Sequence, residues 1–274
     1  MEMINKIINC RYQICNFFIS GNANDVYEAF DIFFKRKVII KFLKQNNEDG
    51  IYHIINEVKN TNKININSVI KMYELGIFEK KFYNVSEFID GISIRKIIVS
   101  KKKKNFLEKC QIILKICESL SFIHKKGIIH RDIKPDNIYY LKDKTIKIID
   151  FGISSNVINK NKNDLKLMGS VCYLSPENVY FGIVNVSNDI YALGILAYEL
   201  FYNALPFFKE TDSVSDIVEE INKKLEFNDQ LLPKEINYIL IKSTKKNYRE
   251  RYISVDEMKK DLERFLNNES INFS

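Results

Sequence analysis

The sequence predicts an α+β fold of two lobes, a small β-rich N-terminal lobe and a larger helical C-terminal lobe. The first third contains runs of β-branched and aromatic residues separated by short polar turns, which is typical of strands. After Gly91, apolar residues recur at helical spacing. The length of 274 residues suits one large globular domain or two small lobes that share a cleft. We therefore expect a ligand to bind in a cleft between the lobes.

The N-terminal lobe is predicted at about residues 12–86. The turns Gly21–Asp25 and Lys35–Lys37 separate its first three strands. Residues 46–62 are polar except for isoleucine and valine at helical spacing, which predicts a helix with one apolar side. The predicted strands are residues 13–19, 26–34, 37–43, 68–78 and 81–89.

A hinge at about residues 87–91 leads into the C-terminal lobe, predicted at about residues 92–267. Phe106–Lys126 carries one apolar stripe and is followed by Gly127, which is typical of the residue after a helix. Residues 188–202 are apolar nearly all round, which predicts a buried helix. Short strands are predicted at 138–141 and 146–149, and further helices at 214–225, 233–243 and 255–267.

Composition excludes several classes of protein. The net charge of +7 comes from 35 lysines and only seven arginines, and no stripe of arginine and aromatic residues indicates nucleic-acid binding. No stretch approaches 18 apolar residues and the first ten residues do not form a signal peptide, so we expect no membrane segment and a cytoplasmic location. The five cysteines include no CxxC pair, which argues against zinc and disulfides.

One motif in the sequence carries most of the chemical information. Residues 130–137 read His-Arg-Asp-Ile-Lys-Pro-Asp-Asn, and Asp150-Phe151-Gly152 follows after a predicted hairpin. This arrangement presents a base, a cation and two oxygen ligands for a metal. Upstream, Val38–Lys41 ends a strand with a lysine, and Ser175-Pro176-Glu177 follows downstream. Each tripeptide alone is a weak signal, but the ordered set at these spacings is specific.

The ordered set resembles the eukaryotic-type (Hanks-type) Ser/Thr protein kinase catalytic domain, over about residues 12–266. Asn188–Gly194 is similar to the bacterial-like branch of that family. The resemblance implies a single kinase domain over residues 1–274 that uses ATP and Mg²⁺ to phosphorylate Ser and Thr hydroxyls of protein substrates. The loop carries a lysine, Lys134, two residues after Asp132, and in this it resembles the loop of Ser/Thr kinases.

The resemblance also implies a role for each charged residue of the motif. Asp132 would act as the base toward the substrate hydroxyl, and Lys134 would lie at the transferring phosphate. Asn137 and Asp150 would hold Mg²⁺, which prefers oxygen ligands. Lys41 would contact the α- and β-phosphates.

A helix glutamate would hold that lysine in place. We expect Glu57, inside the predicted one-sided helix, to have this role rather than Glu48, which lies too near the strand. Two further residues are expected to be structural. Asp189 would bind the backbone of the His-Arg-Asp loop, and Arg251 would pair with Glu177.

The phosphate-binding loop departs from the family pattern. With Val26 aligned to the valine of GxGxxGxV, the three glycine positions hold Ile19, Gly21 and Asn24. Glycine allows close approach of the backbone to phosphates, and asparagine tolerates positive φ better than most residues. We expect weaker or slower nucleotide closure, without loss of binding.

The adenine slot is unusual as well. Ile39 stands where the family prefers alanine, and Tyr139 where it prefers leucine, which narrows the slot on both faces. Ser86 occupies the gatekeeper position, just before the hinge residues Glu87 and Ile89, and its small side chain leaves space behind the slot.

Two further expectations concern the segment between Asp150 and Glu177 and the acidic residues near the loop at residues 130–137. Residues 156–169 contain no Ser, Thr or Tyr, so we expect activity that does not require a phosphate there; Ser154, Ser155 or Ser170 would carry any such control. Asp136 and Asp90 mildly favour basic residues ahead of the acceptor.

Two alternatives to an active Ser/Thr kinase remain at this stage. The first is a pseudokinase that acts as a nucleotide-binding or partner-binding scaffold, suggested by the poor glycine loop and the crowded slot. Against it, every charged catalytic position is filled. The second is a kinase of small molecules, which is disfavoured by Ser175–Glu177 because that segment resembles a peptide-docking ledge.

Overall fold

The chain forms two compact units. The computed structural model describes residues 3–21, 23–101, 103–151, 171–206, 214–221 and 230–273, together with residues 223, 225 and 227. The first unit contains the residues up to Asp90 and a later segment that begins at Lys147 and includes Asp150. The second contains Gly91–Ile146 and the described residues from Val171 onward. The first unit is rich in strands and the second in helices, which confirms the predicted α+β class.

The first unit is built on an antiparallel sheet of six strands. The strands are β1 (Ile7–Ile8), β2 (Tyr12–Ser20), β3 (Asn24–Asp31), β4 (Arg36–Leu43), β5 (Met72–Phe78) and β6 (Lys81–Glu87). Their order in the sheet is β1-β2-β3-β4-β6-β5. In β4, Val38, Ile40 and Phe42 are buried in one apolar core, and the positions between them include Lys41. Because side chains alternate along a strand, Lys41 faces away from that core.

Helix α1 (Glu48–Asn62) accompanies this sheet. Asn47 caps it by accepting a hydrogen bond from the Gly50 N–H at 2.8 Å. Glu48 in the first turn is placed favourably toward the positive end of the helix dipole. Its buried residues are Ile54, Glu57 and Thr61, which share one side of the helix. Glu57 therefore lies on the packed side of α1.

The second unit combines a small antiparallel strand pair with the remaining helices. Strand β7 (Gly91–Ser93) pairs with β8 (Ile138–Leu141), with Gly91 opposite Leu141. The Leu141 N–H closes a turn on the Thr145 carbonyl at 2.9 Å, and strand β9 (Ile146–Ile148) follows it, with Ile146 in the second unit and the next two residues in the first. The helices are α2 (Ile94–Val99), α3 (Phe106–Lys125), α4 (Pro176–Phe181), α5 (Val186–Tyr202), α6 (Val214–Ile221), α7 (Lys234–Ser243) and α8 (Val255–Leu266).

Helix α3 has well-defined ends and a buried stripe. Asn105 and Glu108 form a reciprocal capping box, with side-chain-to-backbone distances of 2.8 and 3.2 Å. Gly127, just past the C-terminus, has a φ of 71°, a conformation that suits glycine. Cys110 and Cys117 are fully buried, as core packing predicts, and burial raises the pKa of the Cys110 thiol to about 12.

Helix α5 is buried nearly all round, as predicted. Its Gly194 lies against α7: a Cβ atom built there would come within 2.4 Å of Ser243 Oγ and 2.7 Å of Thr244 Cγ2. Glycine is therefore needed at this crossing for the two helices to approach so closely.

Several predicted boundaries were wrong. The strand predicted at 26–34 ends at Asp31, because residues 32–35 form a turn in which Lys35 has a φ of 52°. The strand predicted at 68–78 begins only at Met72. The sequence patterns do not predict β1, β7, α2 or α4, since such short elements offer too few residues to show a period. Among the described residues, no helix is long and apolar enough to cross a bilayer.

Candidate active site

Lys41 and Glu57 meet on the side of the sheet away from the apolar core. Lys41 Nζ lies 3.2 Å from Glu57 Oε1, and both side chains are largely buried. Asn84 on β6 donates to the second oxygen, Glu57 Oε2, at 3.3 Å. Lys41 also forms an ion pair with Asp150. The structure thus brings an amine and two carboxylates together within the first unit.

The charged groups of this cluster shift one another's pKa. Burial disfavours the ammonium of Lys41, but the carboxylates of Asp150 and Glu57 outweigh it and raise the pKa of Lys41 above its ordinary value. Burial also raises the pKa of Glu57, against the opposing effect of Lys41. Lys41 therefore stays positively charged at neutral pH, as a contact for phosphate oxygens requires.

Asp150 is positioned by the backbone of the segment that precedes it. The Ile148 N–H donates to the Ser68 carbonyl at 2.8 Å, and the Ile70 N–H donates to the Ile148 carbonyl at 3.0 Å. Asp150 has a φ of 61°, which is uncommon for a residue other than glycine. The next residue, Phe151, is buried. Together these features turn the Asp150 carboxylate toward Lys41.

In the second unit, the loop at residues 130–137 gathers a carboxylate, an amine and an amide. Lys134 Nζ lies 2.9 and 2.8 Å from the two oxygens of Asp132. Asn137 Nδ2 donates to the Asp132 carbonyl at 2.9 Å and to Asp132 Oδ2 at 2.7 Å. The short 3₁₀-helix Pro135–Asn137 makes this possible, because it folds the chain back over three residues. Asp132 is thereby fixed in one orientation.

Asp189 holds the beginning of that loop, as expected from the sequence. Its carboxylate accepts hydrogen bonds from the His130 N–H at 2.8 Å and the Arg131 N–H at 2.9 Å, and contacts His124 Nε2 at 2.8 Å. Burial opposes ionisation, but these hydrogen bonds and the nearby histidines lower the pKa of Asp189. Arg131 has a φ of 68°, so the backbone at this point is held in an uncommon conformation.

The predicted pair of Arg251 and Glu177 is also present. The guanidinium donates to both carboxylate oxygens, at 2.8 and 2.7 Å, and both side chains are buried. Asn188 donates to Glu177 at 2.7 Å and to Ser175 at 2.6 Å. The pair thus joins α4 to the segment before α8.

The residues predicted to bind the nucleotide in the first unit lie on neighbouring strands. Ile19 on β2 is opposite Val26 on β3, and Val26 is opposite Lys41 on β4. Ile19 is half exposed. Gly21 closes the turn through its N–H, which donates to the Asn24 carbonyl at 2.8 Å, and its own carbonyl accepts from Lys44. The substituted glycine loop therefore still forms a hydrogen-bonded turn.

The predicted slot and hinge residues are distributed over both units. Ile39 on β4 is opposite the buried Ser86 on β6. Glu87 ends β6 and accepts from Lys147 at 2.5 Å, and Ile89 follows it half-buried in a segment without regular structure. Tyr139 belongs to the second unit, on β8, where it is opposite Ser93.

The two residues predicted to hold Mg²⁺ supply suitable atoms. The Asn137 amide nitrogen donates to Asp132, which leaves its carbonyl oxygen as the atom that can bind a cation. Asp150 supplies a carboxylate. Both are hard oxygen donors of the kind that Mg²⁺ prefers. The structure describes Asn137 in the second unit and Asp150 in the first.

Some predicted features lie outside the described residues. These are Gly152, the serines at 154, 155 and 170, and residues 156–169. Polar contacts of the described residues that were not predicted include those of Arg95. Arg95 on α2 contacts Asp136, Glu199 and Tyr173. It is one of only seven arginines in a lysine-rich chain, which is the one signal that could have pointed to it.

Comparison with known proteins adds an independent finding. A family model described as protein kinase domain matches residues 16–267. A probable serine/threonine-protein kinase PknB of Lactococcus lactis is 33% identical over 272 residues, which is 96% of this chain and 43% of the relative. Serine/threonine-protein kinase PrkC of Bacillus subtilis is 30% identical over 98% of this chain and 43% of the relative.

A more distant relative gives the same result. Serine/threonine-protein kinase PknB of Mycobacterium tuberculosis is 27% identical over 94% of this chain and 43% of the relative. The chain thus spans less than half the length of these relatives.

Proposed function

Because this chain belongs to the protein kinase domain family, we propose that it transfers the γ-phosphate of ATP to serine and threonine hydroxyls of proteins. The observation that carries the proposal is the cluster in which Lys134 and Asn137 both hold the carboxylate of Asp132. Phosphoryl transfer requires alignment and neutralisation of charge more than covalent chemistry. A carboxylate fixed beside an ammonium group meets both requirements.

In this mechanism Asp132 orients the substrate hydroxyl and accepts its proton as the hydroxyl oxygen bonds to the γ-phosphorus. The bond from that phosphorus to the oxygen of the β-phosphate breaks in the same transfer, and ADP leaves. The Asp132 carboxylate is suited to its role because Asn137 prevents it from rotating. Lys134, whose amine lies 2.8 Å from Asp132, neutralises the negative charge that spreads over the transferring phosphate. The serine/threonine class is supported by Lys134, two residues after Asp132, and by the relatives, which are named serine/threonine-protein kinases.

Lys41 binds the α- and β-phosphates, and Glu57 holds its amine in place. The support is the 3.2 Å contact between them and the raised pKa of Lys41, which keeps the amine charged. Protein kinases generally use ATP with Mg²⁺, and here Asn137 and Asp150 would hold the metal. When bound, Mg²⁺ neutralises charge on the phosphate oxygens. Reaction with cytosolic ATP makes the cytoplasm the proposed place of action.

Transfer of radiolabel from [γ-³²P]ATP to a generic protein, or to the chain itself, tests the proposal. We expect the wild-type chain to transfer phosphate to serine or threonine, identified by phosphoamino-acid analysis. Asp132→Asn keeps the size of the side chain but removes the base, so the rate should fall by about 10²–10⁴-fold.

Asp143→Asn is the matched control, because Asp143 is an exposed aspartate in the turn between β8 and β9. This variant should transfer phosphate at the wild-type rate. If wild-type and Asp132→Asn chains are equally inactive while both bind ATP, the scaffold alternative replaces the proposal.

A further inference from the structure

Asn84 is a polar side chain buried within the sheet of the first unit. It lies on the interior strand β6, opposite Lys41 on β4 and Leu75 on β5, and is fully buried. Its neighbours in the chain, Tyr83 and Val85, belong to the apolar core on the other face of the sheet. Because side chains alternate along a strand, Asn84 projects from the same face as Lys41.

The carboxylate of Glu57 receives one donor on each of its oxygens. Lys41 Nζ lies 3.2 Å from Oε1, and Asn84 Nδ2 donates to Oε2 at 3.3 Å. An ionised carboxylate only accepts hydrogen bonds, so the nitrogen of the Asn84 amide faces it and the amide oxygen points away. Both contacts form together in only one orientation of the carboxylate. The two neighbouring strands thereby fix the rotation of the Glu57 side chain.

The oxygen of the same amide is left without a hydrogen bond. Among the residues that the structure describes, Asn84 Oδ1 is buried and accepts from no donor. A buried polar atom without a partner costs free energy, and an apolar side chain of similar size would avoid that cost. The amide is therefore a poor choice for stability alone. What it provides at this position is a donor to Glu57.

We propose that Asn84 is a positioning residue for phosphoryl transfer, which acts through Glu57 on the amine of Lys41. The inference rests on the proposed kinase function and deepens it. While Asn84 holds Oε2, Oε1 stays turned toward Lys41. Without that donor the carboxylate turns to find a partner for its second oxygen. Lys41 then keeps only Asp150 of the two carboxylates that place its amine against the nucleotide phosphates.

Steady-state transfer kinetics of Asn84→Leu test this inference. Leucine has nearly the shape of asparagine but no donor. Lys41 is proposed to contact the nucleotide and not the acceptor protein. Therefore kcat/KM for ATP should fall by about tenfold or more, while KM for the acceptor protein stays at its wild-type value.

Val85→Ala is the matched control for a loss of stability. Val85 is the next residue of β6, is equally buried and faces the apolar core. Its truncation should lower the melting temperature and leave both kinetic constants unchanged at a temperature where the chain is folded. A wild-type kcat/KM for ATP in Asn84→Leu, or the same loss in Val85→Ala, would overturn the inference.

A double-mutant cycle shows whether Asn84 acts through Glu57. Glu57→Ala removes the carboxylate, so Asn84→Leu added to it should cause no further loss of kcat/KM for ATP. If Asn84 had a merely structural role, the two losses would multiply. Multiplied losses therefore contradict the inference.

Urea unfolding of the same four chains reports on the contact without phosphate transfer. Asn84→Leu should be more favourable for stability in the Glu57→Ala background than in the wild-type chain, because the amide has no acceptor there. Equal effects in both backgrounds would show that the contact has no energetic weight and would sink the inference. Failure of the kinase function is distinguishable, since the wild-type chain would then transfer no phosphate while urea unfolding still measures the coupling.

Discussion

At the scale of single residues, Lys246 shows how burial changes a titration. Its amine donates to the Ile221 carbonyl at 2.7 Å and lies in a part-buried position. Burial, with the nearby charge of Arg251, lowers the pKa of Lys246 to about 8, whereas an unfolded lysine titrates near about 10.4. Between these values the unfolded chain binds more protons than the folded one. The contribution of Lys246 therefore makes the free energy of unfolding rise with pH from about 8 to about 10.

Lys246→Met should remove this contribution, because methionine has no proton to bind. We expect urea unfolding of the variant, measured from pH 7.5 to about 10, to lack the rise that Lys246 gives the wild-type chain. Lys245→Met, at the exposed neighbouring position, should keep it. Identical pH dependence in the wild-type chain and Lys246→Met would contradict the assignment.

The sequence predicts contacts between residues where a motif fixes their spacing, and does not predict them where it does not. The contact between Lys41 and Glu57 agrees with the expected pairing because a strand and the next helix fix both positions. Arg95 could not be predicted, since its partners lie 41, 78 and 104 residues away in the chain. Only the folded chain brings those groups together.

At the scale of elements, the crossing of α5 and α7 depends on the missing side chain of Gly194. A methyl group there would overlap Ser243 Oγ and Thr244 Cγ2. Although alanine favours helix formation over glycine, Gly194→Ala should lower the free energy of unfolding by about 1–3 kcal/mol, as measured by urea denaturation. At this position the cost of the steric overlap outweighs the gain in helix propensity.

A second substitution on the facing helix tests the cause. Ser243→Ala removes the atom nearest to the added methyl group, so the double variant should recover part of the loss. Additive effects of the two substitutions would show that the overlap with Ser243 is not responsible.

Long, strongly periodic elements could be predicted, and short ones could not. Helix α3 begins at Phe106 as expected, because its apolar stripe, its capping residues and Gly127 all agree. Helix α2 spans only Ile94–Val99 and is held by its neighbours, with three buried residues. Its position depends on tertiary contacts, and a segment of six residues is too short to show a helical pattern of apolar residues.

At the scale of the whole molecule, the proposed function links nucleotide binding to stability. A ligand that binds only the folded chain raises the free energy of unfolding, by about 2.7 kcal/mol at a concentration about 100 times its dissociation constant. We expect Mg-ATP to raise the melting temperature of the wild-type chain, as followed by circular dichroism.

Two variants separate binding from catalysis in this measurement. Lys41→Met removes the proposed phosphate contact and should diminish the shift in melting temperature. Asp132→Asn should retain the shift while it abolishes transfer, because Asp132 is proposed to act on the substrate hydroxyl. No shift in the wild-type chain at millimolar Mg-ATP would contradict the proposed nucleotide site.

The α+β class could be predicted from composition and periodicity because those signals average over many residues. The exact edges of the first unit could not, since they depend on segments distant in sequence. The chain after Lys147 joins that unit through hydrogen bonds of Ile148 with Ser68 and Ile70. Such long-range pairings leave little trace in a single sequence.

The short strand β1 has a practical consequence for where this domain is cut. The match to the family model begins at residue 16, yet Met3, Ile8 and Tyr12 are all buried in the same apolar core as β4. A chain trimmed to the matched residues would lose the edge strand β1 and expose the apolar face of the sheet to water. A boundary drawn at the family-model match would therefore yield an aggregation-prone fragment rather than an independent folding unit.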